Sequence, residues 1–270
     1  MPDPEPVHFF DLLSDLQGPS RSWSTQTLKV RAVLNFKAIP YTQSWISCPD
    51  IKPLITSLGL PPNAHGIPYT LPTILHKSSV TSHPSGALMD SHPIIMHLDN
   101  TFPSPPLFPS GDASYALLLA VTKITSLLEP AFRPMIVPRV AEHLDPRGRE
   151  YFVETRSRAL GKLLDQVRPR DEEGLERLWR VLESESAVLV GMLSGREGKK
   201  GPFFEGEVPG FADLLLACHL GFIERFDGVL FGRLVGLGAG EMGRLYEACR
   251  PWFEGQGVER EWVVEGGVGA

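Results

Sequence analysis

The stretch 69-YTLPTIL-75, together with 90-DSHPIIMHLD-99 fifteen residues after its end, decides the fold that this sequence predicts. A proline stands inside a short, apolar, β-branched strand, where it removes one donor from the hydrogen-bond ladder. We predict a cis peptide bond between Leu71 and Pro72, which would turn the backbone of Leu71 outward. Asp90 and Ser91 then open an amphipathic helix, whose first N–H groups can hold an anion.

The two segments together predict a binding site for a small anionic peptide. The outward N–H and C=O of Leu71 can pair with an extended ligand as an added strand would. Each signal alone has an ordinary alternative, because Pro72 could lie on an edge strand and Asp90 with Ser91 could simply cap the helix. Their order and spacing favour the binding site.

The composition excludes several classes of protein. The 270 residues carry 32 acidic and 26 basic side chains, and this net charge of −6 argues against a nucleic-acid partner. The start, MPDPEPVHFFDLL, lacks the features of a signal peptide, and no apolar run approaches the length of a membrane span. We therefore expect a cytoplasmic protein with no membrane partner. The sparse cysteines, Cys48, Cys218 and Cys249, predict buried small hydrophobic side chains and neither disulfides nor a metal site.

The chain has two parts that differ in composition. Residues 1–111 contain 17 of the 25 prolines but only 13 of the 58 charged side chains. We predict a domain over residues 1–101, a proline-rich linker over 102–112 and a second domain over 113–270. In the first domain the pattern predicts strands at 7–13, 41–47 and 71–76, a weaker strand near Val80 or Leu88, and helices at 24–37, 50–58 and 90–100. This βαβ order, followed by strands and a helix, is typical of a small α/β unit.

The second domain is predicted to be helical. Apolar periodicity indicates helices at 113–132, 147–167, 172–193 and 211–226. Pro130, Pro134 and Pro138 are expected to kink or break the first of them. The glycine-rich 236-GLGAG-240 is interpreted as a turn, because it follows no clear strand and lacks the rest of a dinucleotide-binding motif. The final EGGVGA is expected to be disordered.

The chain resembles the cytosolic glutathione transferases over nearly its whole length, and is most similar to their fungal etherase-like, serine-type members. The resemblance lies in 22-SWSTQTLKVRAVLNFKAIPYT-42, in YTLPTIL and in MDSHPIIMHLDNTFPSPPLFP. It extends to 203-FFEGEVPGFADLLLA-217, which keeps Asp213 but has Gly210 where the family usually has a Ser or Thr cap. The resemblance implies a thioredoxin-like domain, then an all-helical C-terminal domain of the glutathione transferase type, with glutathione as cosubstrate and a homodimer as the assembly.

The resemblance assigns thiol activation to the start of the first helix. Ser24 would donate a hydrogen bond to the glutathione thiolate, helped by the backbone N–H groups of Thr25 and Gln26. Alternatively, Ser24 only caps its own helix, and Ser22 and Thr25 are nearby candidates for the same role. Residues 1–40 contain neither tyrosine nor cysteine, which disfavours the family classes that depend on those residues.

The resemblance also implies contacts for the rest of glutathione and for its co-substrate. Asp90 would bind the ammonium and Ser91 the carboxylate of the γ-glutamyl end, and Thr70 and Leu71 would pair with the cysteinyl backbone beside Pro72. Lys52 and His65 are candidates for the glycyl carboxylate, and Phe10, Trp23 and Arg133 for the pocket of the electrophile. No metal is predicted.

The resemblance leaves three functions open. The protein could transfer glutathione to a small hydrophobic electrophile, with a place in fungal secondary metabolism. The same thiolate could isomerise a double bond or cleave an ether. A non-catalytic binding or regulatory protein with the same fold is the third alternative, although the presence of Ser24, Asp90 and Ser91 together disfavours it.

Overall fold

The computed structural model describes residues 5–264, which divide into two compact units. Within this range, the first unit contains residues 5–105, 143–152 and 252–264, and the second contains residues 106–142 and 153–251. The predicted disorder of EGGVGA, at 265–270, lies outside the described residues.

The described part of the first unit contains a five-stranded mixed sheet. Its strands are β1 (Val7–Leu12), β2 (Tyr41–Ile46), β3 (Thr73–Leu75), β4 (Ala87–Met89) and β5 (Val258–Glu259), in the order β4-β3-β1-β2-β5. β1 pairs parallel with β2 and antiparallel with β3, and all six of its residues are buried. A strand covered on both faces explains why 7-VHFFDL-12 is largely apolar rather than strictly alternating.

The first unit also contains the helices α1 (Thr25–Phe36), α2 (Ile51–Ser57) and α3 (Ser91–Thr101). α1 begins where predicted because Ser24, in an extended conformation, caps it: the Ser24 hydroxyl oxygen accepts a hydrogen bond from the N–H of Gln26 at 3.3 Å. The predicted thioredoxin-like α/β fold, followed by a helical part, is confirmed.

The remaining helices are α4 (Asp112–Val140), α5 (Pro146–Leu160), α6 (Glu172–Ser194), α7 (Phe211–Phe226), α8 (Gly228–Val235) and α9 (Glu241–Glu254). The segment 236–240 links α8 to α9, which confirms its interpretation as a turn. The sequence analysis did not predict α8 or α9, because glycines interrupt the apolar pattern there. All three cysteines are buried, as predicted.

The three prolines were predicted to kink or break the helix after Phe132, and the predicted break is wrong. α4 continues through Pro130, Pro134 and Pro138 as far as Val140. The prolines follow one another at intervals of four residues, so their lost backbone hydrogen bonds fall along a single face of the helix. That face is accessible to solvent, since Pro130 is exposed and the other two are half-buried. Water can therefore satisfy the carbonyl groups that the prolines leave unpaired.

The expectation that no apolar run approaches the length of a membrane span needs a correction. The helical stretch Asp112–His143, of 32 residues, is long and apolar enough to cross a membrane by length and composition alone. A core helix of a soluble protein meets the same criteria. In the second unit α4 packs against α6 and α7. The absence of a membrane partner stays a prediction.

α7 begins at Phe211, as predicted, although Gly210 offers no side-chain oxygen for a cap. The buried carboxylate of Asp213 stabilises this start instead. It accepts hydrogen bonds of 2.8 Å from the backbone N–H groups of Gly210 and Phe204. Burial raises the pKa of Asp213 to about 6. The hydrogen bonds from the two N–H groups act in the opposite direction and lower this pKa. The start of α7 therefore forms despite the glycine at the cap position.

Candidate active site

The first turns of α1 and α3 meet in the first unit. The hydroxyl of Ser91, the first residue of α3, donates a hydrogen bond of 2.8 Å to the side-chain carbonyl of Gln26, the second residue of α1. The start of each helix carries N–H groups without intrahelical partners and the positive end of the helix dipole. Two adjacent helix starts therefore form a surface suited to anionic groups.

The segment 70–72, which we call the proline loop, lies beside the start of α3. The peptide bond Leu71–Pro72 is cis, as predicted. The backbone N–H of Asp90 donates to the carbonyl of Pro72 at 3.1 Å, and the hydroxyl of Thr70 donates to the Asp90 carboxylate. Thr70, Leu71, Pro72, Asp90 and Ser91 are thus brought together from two segments of the chain.

Asp90 has an unusual backbone conformation. Its φ angle is +76°, in a region that residues other than glycine rarely adopt and that costs on the order of 1–3 kcal/mol. Its carboxylate does not cap α3 but accepts the hydroxyl of Thr70. Asp90 thus occupies the cap position of α3 without a side-chain cap hydrogen bond, which disfavours the alternative of a plain helix cap. Strained residues of this kind cluster at ligand-binding sites.

The structure reconciles the two roles considered for Ser24. A hydroxyl oxygen can accept one hydrogen bond while its own proton is donated in another. Ser24 accepts from the N–H of Gln26, so its proton can still be donated to a thiolate. Ser24 and Thr25 are half-buried and Gln26 is exposed, so the turn is accessible to a ligand. Ser22 is fully buried and donates to the Asp11 carboxylate at 2.6 Å, which makes it a poor alternative donor.

The candidates for the glycyl carboxylate both lie on the surface. Lys52 is exposed on α2, with its Nζ 6.0 Å from the centre of the Tyr69 ring, next to Thr70. His65 is exposed in the loop between α2 and β3. The proximity to Tyr69 brings Lys52 to the neighbourhood of the proline loop.

The candidates for the electrophile pocket belong to different units of the chain. Phe10 is fully buried and packs against the rings of His8 and Trp262, so it has no exposed surface for a substrate. Trp23 is 6% exposed and lies 6.3 Å from the ring of Phe152, measured between centroids. The third candidate, Arg133, belongs to the second unit, where it is exposed and pairs with Glu129 on α4. Within residues 5–264, no group of three or more His, Cys, Asp or Glu side chains is arranged to hold a metal ion.

Two residues that were not predicted from the sequence hold the turn before α1. Asp11 and Arg31 form a fully buried ion pair of 3.0 Å, and Asp11 also binds Ser22. No local pattern marks these residues, because a buried charge is visible in a sequence only as one polar residue within an apolar segment.

A thioredoxin-like unit with a cis-proline loop facing two helix starts, combined with a helical unit, defines a glutathione transferase type of protein. The family model "Glutathione S-transferase, C-terminal domain" matches residues 116–252. The chain is 51% identical over 262 residues to the Glutathione S-transferase-like protein ustS of Aspergillus flavus, covering 96% of this chain and 95% of that relative. The chain belongs to the glutathione S-transferase family.

Solved structures agree with this assignment. A glutathione S-transferase of Ceriporiopsis subvermispora, crystallised in complex with glutathione, is 26% identical with a TM-score of 0.78, and the match covers 92% of this chain and 98% of that one. The glutathione transferase GSTFuA3 of Phanerochaete chrysosporium is 29% identical with a TM-score of 0.78, covering 93% and 98%. The predicted family, its fungal affinity and its fold are confirmed.

Proposed function

We propose that this protein is a glutathione-dependent transferase that activates the glutathione thiol for attack on a small hydrophobic electrophile. The hydrogen bond between Ser91 and Gln26 is the observation that carries this function, because it sets two helix starts side by side next to the cis-proline loop. The similarity to a glutathione S-transferase crystallised with glutathione supports the same ligand here.

Each part of glutathione has a matching group in the first unit. The carboxylate of Asp90 suits the ammonium of the γ-glutamyl end, while Ser91 and the first N–H groups of α3 suit its carboxylate. The backbone of Leu71, before the cis bond, suits the cysteinyl N–H and C=O. Lys52 is the better candidate for the glycyl carboxylate, because of its contact with Tyr69.

Thiol activation falls to Ser24 and to the first N–H groups of α1, those of Thr25 and Gln26. A free thiol has a pKa of roughly 8.5, which a helix N-terminus and one good donor can lower by one to two units. Two units correspond to about 2.7 kcal/mol in favour of the thiolate. The thiolate electron pair then forms the bond from sulfur to carbon, and the leaving group departs with the displaced pair.

The family likeness supports the wider setting that we propose, a cytoplasmic homodimer that acts in fungal secondary metabolism. Isomerisation of a double bond and cleavage of an ether would use the same thiolate, with a different electrophile. The products of turnover separate these reactions from simple conjugation.

The test combines binding with turnover. Glutathione affinity is measured by calorimetry, and turnover with aryl halides, unsaturated carbonyls, aryl ethers and isomerisable alkenes. The variant Ser24→Ala should bind glutathione but react about tenfold more slowly at neutral pH, equal to about 1.4 kcal/mol of transition-state stabilisation. Ser184→Ala, at an exposed position on α6, is the matched control and should behave as wild type.

Three outcomes would contradict the proposed function in different ways. If glutathione does not bind, the proposal that glutathione is the ligand is wrong. Binding without turnover of any electrophile would favour the non-catalytic alternative. Turnover that leaves glutathione unconsumed and yields an isomer would identify an isomerase.

A further inference from the structure

A C-terminal segment of the first unit, Gly255–Trp262, extends the sheet beyond β2. We call this segment the C-terminal strap. It contributes β5, which runs parallel to β2 with Thr42 opposite Val258 and Gln43 opposite Glu259. The N–H of Arg260 donates to the carbonyl of Gln43 at 2.8 Å, which continues the pairing.

The strap holds the loop that leads into α1. The side-chain amide of Gln256 donates to the carbonyl of Gly18 at 2.6 Å, and the carboxylate of Glu259 pairs with Arg21 at 3.1 Å. The close approach of the strap to Tyr41 requires glycine at position 257, because a Cβ atom there would lie 2.5 Å from carbons of the Tyr41 ring. The loop is therefore fixed from the side of β2 by a segment more than two hundred residues away in the chain.

A buried chain of hydrogen bonds, which we call the relay, connects Gly255 of the strap through Arg31 and Asp11 to Ser22. The carbonyl of Gly255 accepts from the Arg31 guanidinium at 3.3 Å and from the Tyr41 hydroxyl at 3.1 Å. Arg31 donates at 3.0 Å to Asp11 Oδ2, which also accepts the hydroxyl of Ser22 at 2.6 Å. Hydrogen bonds between charged groups in a buried, low-dielectric setting are strong and leave little freedom of position.

The relay ends two residues before Ser24. Ser22, Asp11 and Arg31 are all completely buried, so none of them can touch glutathione. The groups proposed to bind the γ-glutamyl end and the cysteinyl backbone, at Asp90, Ser91 and Leu71, take no part in the relay. Disturbing the relay should therefore move the Ser24 hydroxyl relative to the thiol and leave the affinity for glutathione nearly unchanged.

We propose that Asp11 and Arg31 are positioning residues for the thiol-activating turn, and that the C-terminal strap keeps them in place. The strap thus contributes to activation of glutathione without contacting it. This role rests on the proposed function of Ser24.

The test uses the full chain with Gly257→Ala, which forces the added methyl group against Tyr41. Gly232→Ala is the matched control, because no heavy atom lies within 4 Å of a Cβ placed there. The thiolate absorbance of bound glutathione is followed against pH, and affinity is measured by calorimetry. Gly257→Ala should raise the pKa of the bound thiol by about one unit, read from the midpoint of the absorbance titration, with affinity kept within about twofold. The control should match wild type.

A second variant tests the role of the strap if Gly257→Ala does not fold. Tyr41→Phe removes the hydroxyl that donates to Gly255 and accepts from Arg31, without adding an atom. It should raise the pKa of the bound thiol in the same direction, by about half a unit. A folded variant with reduced thermal stability but an unchanged thiolate fraction would overturn the inference and leave the strap a purely structural element. Absence of any bound thiolate in the wild type would instead overturn the proposed function itself.

Discussion

The hydroxyl of Ser91 donates a 2.8 Å hydrogen bond to the side-chain carbonyl of Gln26, and so joins two helix starts that are 65 residues apart in the chain. A carboxylate bound at the start of α3 would compete with Gln26 for this hydroxyl. Because the side chain of Gln26 is exposed, it can turn away at little cost when a ligand arrives. The same pair therefore links the proposed sites for the γ-glutamyl end and for the thiol.

The first prediction separates the two partners of this bond. Ser91→Ala should weaken glutathione binding about tenfold, because a hydrogen bond to a charged carboxylate contributes about 1.5 kcal/mol. Gln26→Ala should leave affinity unchanged or slightly higher, since it keeps the backbone N–H and frees the Ser91 hydroxyl. Calorimetry on both variants measures the difference. Equal losses would show that the pair acts only as a structural link.

The second prediction concerns Asp90. Asp90→Asn should weaken glutathione binding by about 1.5–3 kcal/mol, the range for a charge-assisted hydrogen bond. The fold should be kept, because asparagine tolerates a positive φ angle better than most residues do. Asp90→Ala should lose a similar amount of affinity and also some stability, measured by urea unfolding. Unchanged affinity in Asp90→Asn would exclude the carboxylate as the ammonium partner.

The third prediction tests the buried ion pair in the first unit. Arg31→Met should lower the free energy of unfolding by about 3–5 kcal/mol, because it leaves the Asp11 carboxylate buried without its cation. Adding Asp11→Asn to that variant should restore part of the loss. Arg177→Met is the control: it breaks an exposed pair with Glu173 on α6, 3.0 Å long, and should cost less than about 1 kcal/mol. Equal costs in the two single variants would contradict the assigned role of burial.

The fourth prediction is a dependence of stability on pH. Burial, with the nearby Arg260 guanidinium, lowers the pKa of His8 to about 4, while its hydrogen bonds to Thr42 and Ser44 suit a neutral ring. The unfolded chain has a histidine pKa near 6.5 and takes up the proton first. The contribution of His8 to stability is therefore fully present above about pH 6.5 and is lost as the pH falls toward 4.

The measurement for this prediction is urea unfolding at a series of pH values between 4 and 7. His8→Asn should flatten the decline in stability over that range, because the titrating group is gone. His65→Asn, in an exposed loop, removes a histidine that is not buried and should leave the slope as in wild type. A slope that survives in His8→Asn would assign the effect to other groups.

Much of each unit follows from signals within a few residues of the chain. Ser24 begins α1 because its hydroxyl caps the helix, and Pro72 forms the cis bond expected for a proline between Leu71 and a buried strand. Asp213 begins α7 from inside its first turn. Caps, proline geometry and apolar periodicity act over short distances, so they are readable without the fold.

Other features depend on residues that only the folded chain brings together. The three prolines of α4 do not end it, because their common face is accessible to solvent. The sequence pattern does not predict the short β5, because a two-residue strand is stabilised by its pairing with the edge of β2.

The sequence by itself determined the family, the two-part architecture of sheet and helices, and the residues proposed to bind glutathione, since these rest on local motifs. Tertiary structure decided that Ser91 meets Gln26, that Arg31 neutralises Asp11 across 20 residues, and that Gly255 joins Arg31 across 224. The physical reason is that a hydrogen bond or a buried ion pair depends on distance in space. Packing of the whole unit sets that distance, whereas a residue's neighbours in the chain set only its local conformation.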